Sequence, residues 1–240
     1  MLRQFCLATF LVSSFLFSSL SALAANNDDL DELRAQNNDW TLVKNDIAKQ
    51  IKTYDKREQN KRMRSFKIDA TFNAPVESVA AVYFDIENYD KWFWQVLDRR
   101  IIKKASDTEF YYYLQHRAPV GLPIRDVVIH ASIEPYSKNH PYVGFRLKAV
   151  PEFIPKIANA VRMEVCDMYI KWTPMDNNTK THEEVEGYID PSGNIPSWAN
   201  TAVQRLAPYW TMVALQRMLQ LPEYRNSPVL PFKIYDYSNR

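Results

Sequence analysis

Glycine is nearly missing: Gly121, Gly144, Gly187 and Gly193 are the four in 240 residues. Phosphate-cradling loops need glycines at short spacing, so neither a Gly-x-Gly-x-x-Gly turn nor a Walker-type loop exists. Cysteine is rarer still. Of Cys6 and Cys166, the first lies in a segment expected to be removed. One cysteine then remains, and no intrachain disulfide can form even in an oxidising compartment. A charge excess is also missing, because 30 basic residues face 28 acidic ones. Nucleic-acid binders show a strong basic excess, so that class is excluded. The four histidines, His116, His130, His140 and His182, stand 14, 10 and 42 residues apart. None forms His-x-x-x-His or has a cysteine nearby, so neither a metal nor any other cofactor is expected.

What is present begins with an export signal. Met1 to Gln4 carries one positive charge, Phe5 to Leu20 carries none, and Ala22-Leu23-Ala24 puts small residues where a signal peptidase reads. Cleavage before Ala25 is expected, leaving an exported, periplasmic or secreted protein. The competing reading is an uncleaved anchor, but a span needs about 20 apolar residues and this run is short and Ser-rich. No later stretch is long enough to span a bilayer. The organisation read from the chain is a signal peptide over 1–24, a linker with a short helix over 25–38, one domain over 39–220 and an extended tail over 221–240. A monomer is expected.

Period-2 alternation marks the strands. Phe66, Ile68, Ala70 and Phe72 alternate with Ser65, Lys67, Asp69 and Thr71, giving a half-buried strand. Pro75 opens a helix whose stripe is Val76, Val79, Ala80 and Tyr83. Strands follow over Val96 to Lys104, around Phe110, Tyr112 and Leu114, over Val127 to Ile133, Val143 to Ala149, Val161 to Trp172, and Glu183 to Ile189. Their short connections imply antiparallel pairing. Within Val161 to Trp172 the apolar phase switches, which suggests a bulge that curves the sheet. A long helix starts at Pro196, with Trp198, Ala202, Val203, Leu206, Trp210 and Val213 on one side. Pro208 removes a backbone bond in its middle, and beyond it the apolar set becomes Met212, Leu215, Met218 and Leu219.

Five pieces of this chain, in order, resemble the START family of lipid-transfer domains within the Bet v 1-like helix-grip group. They are Asn73 to Val79, Asp85 to Trp92, Pro123-Ile124-Arg125-Asp126-Val127, Val161-Arg162, and Asp190 to Asn200. The resemblance implies an α+β helix-grip fold, a curved antiparallel sheet wrapped around the C-terminal helix with a hydrophobic tunnel between them. It implies non-catalytic binding, and transfer, of a lipid or other hydrophobic molecule. Cholesterol-type members carry an acid–base pair in the tunnel. Its places here fall at Tyr112 or Tyr113 and near Ala131, so the pair is missing. Other helix-grip proteins are polyketide cyclases or aromatases, which keeps an exported enzyme as the alternative. An interaction domain with a side-chain-filled cavity is the third reading.

The candidate ligand-binding residues are Arg125, Tyr112, Phe110, Ile129, Trp198, Leu206, Trp210 and Val213. Arg125 shares strand parity with Val127 and Ile129, so it points inward, where an unpaired guanidinium is very costly. It must meet a carboxylate, with Asp85 or Glu109 as candidates, or carbonyls, or a ligand head group. Tyr112 offers a ring and one hydroxyl and suits either a greasy pocket or ordinary packing. Cys166 reads as a buried structural residue. For transient membrane contact the candidates are Phe153, Ile154 and Ile157 in the Pro-bounded loop 151–157. The basic hairpin tip of Lys56, Arg57, Lys61, Arg62 and Arg64 reads as a solvated turn or a head-group contact.

Overall fold

The computed structural model describes residues 39–226 and 228–236, without the side chains of 197–202. The expected signal peptide and linker lie outside the described residues. Ten strands make one sheet: β1 (Thr41–Asp46), β2 (Ile51–Lys56), β3 (Ser65–Phe72), β4 (Val96–Lys104), β5 (Glu109–His116), β6 (Ile124–Glu134), β7 (Val143–Ala149), β8 (Ala160–Arg162), β9 (Val165–Met175) and β10 (Lys180–Asp190). Their order is β1-β2-β3-β10-β9-β7-β6-β5-β4, antiparallel throughout. The short β8 adds to β6 in parallel. Helix α1 (Val76–Phe84) and a 3₁₀ turn (Ile86–Lys91) sit between β3 and β4. Helix α2 (Ser197–Met218) and the short α3 (Pro222–Arg225) follow the sheet. This is the helix-grip α+β fold that the sequence resembles.

Alternation positions the strands as read: Ile68, Ala70 and Phe72, and likewise Val127, Ile129, Ala131 and Ile133, are buried. The phase switch within 161–172 has a different origin from the expected bulge. The chain leaves β8 at Arg162 and re-enters the sheet as β9 at Val165. Two strands with different partners have no reason to share a phase.

Two further expectations are corrected by packing. The first is the domain boundary at 220: the tail beyond Leu221 packs onto the domain, since Tyr224, Phe232 and Ile234 are buried and Tyr136 bridges to Tyr235. The Phe232 ring stacks on Phe110 at 4.2 Å and meets Phe84 edge-on at 5.3 Å. The packed unit therefore runs past residue 220. The second concerns α2, where Leu206 and Trp210 are 48% and 50% exposed. Its inner face is Val203, Ala207, Thr211 and Met212, continuing through Leu215, Met218 and Leu219. Small and polar residues line the first half of that face, so hydrophobicity points to the wrong side of the helix there.

Candidate functional site: an apolar cavity beneath the C-terminal helix

The concave face of the sheet is shared between two occupants. Helix α1, the 3₁₀ turn and the tail fill one part with aromatic rings, packed around Phe110, Tyr112, Phe145 and Trp172. Over β3, β9 and β10, helix α2 stands off and leaves a cavity of about 230 Å³. Phe66, Ile68, Met168, Ile170, Val185 and Ile189 form its floor, and Val203, Ala207, Pro208, Thr211 and Met212 its roof. The segment after β5 closes one end with Arg117, Ala118, Pro119 and Leu122. The tip of that segment, Val120, is 99% exposed.

Gly187 widens the floor. A Cβ at this position would lie 2.7 Å from the Phe66 ring and 2.8 Å from Met168 Cγ, and both of those residues line the cavity. The absent side chain lets the two lean across β10.

The predicted residues separate along this division. Arg125 lines the cavity. Phe110, Tyr112 and Ile129 are buried but belong to the packed half: Phe110 stacks on Phe145 and Phe232, and Tyr112 meets Tyr89. Strand parity identifies an inward side chain, but not whether a distant segment such as Phe232 covers it. Leu206 and Trp210 face away from the cavity, and Val213 is partly buried against the core. The side chain of Trp198 lies outside the described residues.

Arg125 is 4% exposed, and its Nη1 donates to the Pro123 carbonyl. Neither expected carboxylate meets it. Asp85 accepts from Tyr224 at 2.6 Å and from Asn88 at 2.7 Å, while Glu109 stands beside His130. Its sequence neighbour Asp126 points to the opposite face of β6 and is bound by Arg162 at 2.9 Å, with both side chains buried. The same guanidinium donates to the carbonyls of Pro151, Ile154 and Pro155. The 151–157 loop is thereby tied to the outer face of the sheet, where Phe153 stacks on Tyr111 at 4.2 Å. None of Phe153, Ile154 and Ile157 lines the cavity.

A buried acid escaped the sequence reading. Glu183 shares the parity of Val185 and is fully buried, accepting from Tyr83 Oη at 2.8 Å and Trp172 Nε1 at 2.9 Å. Burial pushes its carboxyl up to about 7 despite those two donors. Parity alone could have flagged it. Tyr83 and Tyr89, whose hydroxyl donates to the Tyr83 carbonyl, carry this network to the cavity wall.

His116 also lines the cavity, with Nδ1 2.9 Å from the Trp94 carbonyl. Burial holds its imidazole below the ordinary value, partly offset by that bond. Cys166 is buried, and its thiol is pushed up to about 12, so the nucleophilic thiolate is suppressed. Among the described residues no three His, Cys, Asp or Glu side chains stand together as a metal site. The basic hairpin tip is largely paired: Lys56 and Lys61 with Glu58, Arg62 with Asp190, Arg64 with Asp55. No described helix is long and apolar enough to cross a membrane.

No protein-family model matches the chain. Human START domain-containing protein 10 is 26% identical over 164 residues, which cover 67% of this chain and 55% of that protein. The chain thus spans about half the length of the curated relatives it matches. Among solved structures, the STAR-related lipid transfer protein fragment from Xanthomonas axonopodis is 26% identical. It superposes with a TM-score of 0.68 over 76% of this chain and 99% of its own. Human STARD10 is 22% identical with a TM-score of 0.65, over 82% of this chain and 80% of that one.

Proposed function

We propose that this relative of the START domains, alike in sequence and fold, binds a lipid or similar hydrophobic molecule between its sheet and α2, and carries it without chemical change. The observation behind the reading is the cavity itself. It is walled by aliphatic, aromatic and methionine side chains, with no aspartate, glutamate or cysteine among its described lining residues. Moving an acyl chain from water into such a space gains about 0.8 kcal/mol per methylene, whereas moving it from a bilayer gains almost nothing. Exchange with membranes is therefore close to balanced, as a carrier requires. Selectivity falls to the cavity's shape and its few polar groups. The names of the Xanthomonas protein and of the human relatives, which refer to lipid transfer or to START domains, point the same way.

Native mass spectrometry of protein purified from its host tests the proposal. A co-purifying apolar ligand is expected. Ala207→Trp, which drives an indole into the roof, should abolish its retention while thermal stability falls by no more than about 3 kcal/mol, the usual range for overpacking. A ligand retained at wild-type stoichiometry by the filled variant would place it elsewhere. Export belongs to the same proposal. The intact mass of the secreted form is expected to correspond to a chain beginning at Ala25, and one retaining residues 5–20 would refute it.

A further inference from the structure

Arg125 is the cavity's least satisfied group. Its Nη1 is held by the Pro123 carbonyl, but Nε and Nη2 have no partner among the described residues. A guanidinium presents its five N–H donors in a rigid fork and stays charged. Leaving part of that fork both dry and unpaired is costly. The surrounding charges make the deficit larger. Arg64 and Arg117 also line the cavity, and among the described lining residues there is no carboxylate. Arg62 stands close enough to press on Arg125 electrostatically, secondary to the effect of burial. Arg62 is itself committed to the Asp190 carboxylate and the Gly193 carbonyl. Three acids of the sheet are already engaged: Asp55 has Arg64, Asp126 has Arg162, Asp190 has Arg62.

We infer that the ligand's polar end is an oxyanion, a carboxylate or a phosphate, that docks on the free edge of Arg125 while its apolar remainder lies along Phe66, Met168, Ile170 and Val203. The inference rests on the cavity-binding reading and names the chemistry of its ligand. A planar guanidinium edge matches two oxygens of either anion, and such charge-assisted pairs are roughly twice as strong as neutral ones. A hydroxyl or an ester offers one neutral acceptor and leaves the positive charge uncompensated. Selectivity by charge follows, because apolar walls contribute equally to every chain of one length.

The test compares dodecanoate, dodecyl phosphate, 1-dodecanol and methyl dodecanoate, below their micellar concentrations, by calorimetry with delipidated protein. In the wild type at least one of the anions should bind at least tenfold more tightly than the alcohol and the ester. The preferred anion distinguishes a fatty-acid ligand from a phosphate-bearing one. In Arg125→Leu the anion's advantage should vanish while binding of 1-dodecanol stays within about threefold. The substitution removes a charge the protein does not compensate, so melting temperature should hold or rise. Arg125→Gln supplies the same comparison with a polar side chain should the leucine variant fold poorly. Equal binding of all four by the wild type would overturn the oxyanion and leave the cavity reading intact. Binding of none would overturn both.

Discussion

Replacing Arg162 with methionine is expected to destabilise the fold by about 3–5 kcal/mol, the cost of leaving a buried charge without its partner. Asp126 is fully buried, its Oδ2 receives both Nε and Nη2 of Arg162, and its Oδ1 has no other partner among the described residues. Methionine fills much of the same volume, so the loss is electrostatic rather than a cavity. For a domain of this size the melting temperature should drop by roughly 10 °C. A second effect separates this pair from a generic core residue. Arg162 also ties down the carbonyls of Pro151, Ile154 and Pro155, so amides of 150–157 should exchange faster in the variant while those of β9 and β10 keep their order of protection. Asp126→Leu combined with Arg162→Met should recover most of the lost stability, because an apolar pair no longer carries an uncompensated charge. A single-variant loss below about 1 kcal/mol would mean that the pair contributes little beyond packing.

The second large effect is a dependence on pH set by Glu183. Its carboxyl is raised by burial from an ordinary 4.5 to about 7 in the folded protein. Between those values the folded chain holds a proton that the unfolded chain has released. Stability contributed by this group is thus complete below pH 4.5 and declines as pH rises to 7. Above that, ionised Glu183 costs roughly 3 kcal/mol relative to acid conditions, since each pH unit between the two values is worth about 1.4 kcal/mol. When protonated, the carboxyl can donate to Tyr83 Oη while still accepting from Trp172. Glu183→Gln removes the titration and keeps one acceptor oxygen. The stability of wild type minus that of the variant should fall across pH 4.5–7 and level off beyond it. A flat difference would show that the carboxyl ionises as if exposed.

Both predictions concern residues whose partners lie far away in sequence, and distance marks the limit of what could be read. Strand parity places Arg125, Tyr112, Phe110 and Ile129 inside, and all four are buried. Parity is a local property of the pleat, so it survives without knowledge of the neighbours. It does not show that Phe232, 122 residues beyond Phe110, packs over one half of the face and leaves Arg125 in the open half. The helix was legible where the residues are large: Met212, Leu215, Met218 and Leu219 are buried as their spacing implies. It was misread around Pro208, because a helix that roofs a cavity rather than a packed core presents Ala207 and Thr211 inward and leaves Leu206 and Trp210 outside. Glu183 stayed hidden for a related reason. Its acidic neighbours Glu184 and Glu186 make a run that reads as solvated, although only those two point to water.

The two outermost strands carry a consequence for how copies of the chain meet. Among the described residues, the ten-stranded open sheet has no further strand on the outer side of β1 or of β4. Such edges template strand addition between molecules. On β4, two register shifts interrupt the regular ladder, at Val96/Asp98 and Ile101/Lys103, and the strand carries Asp98, Arg99, Arg100, Lys103 and Lys104. On β1 the ladder shifts at Leu42/Lys44, and the strand ends in Asp46. An incoming strand would have to follow an irregular edge and, at β4, set its own backbone against a row of charges. Both irregularities disfavour strand addition along the rims.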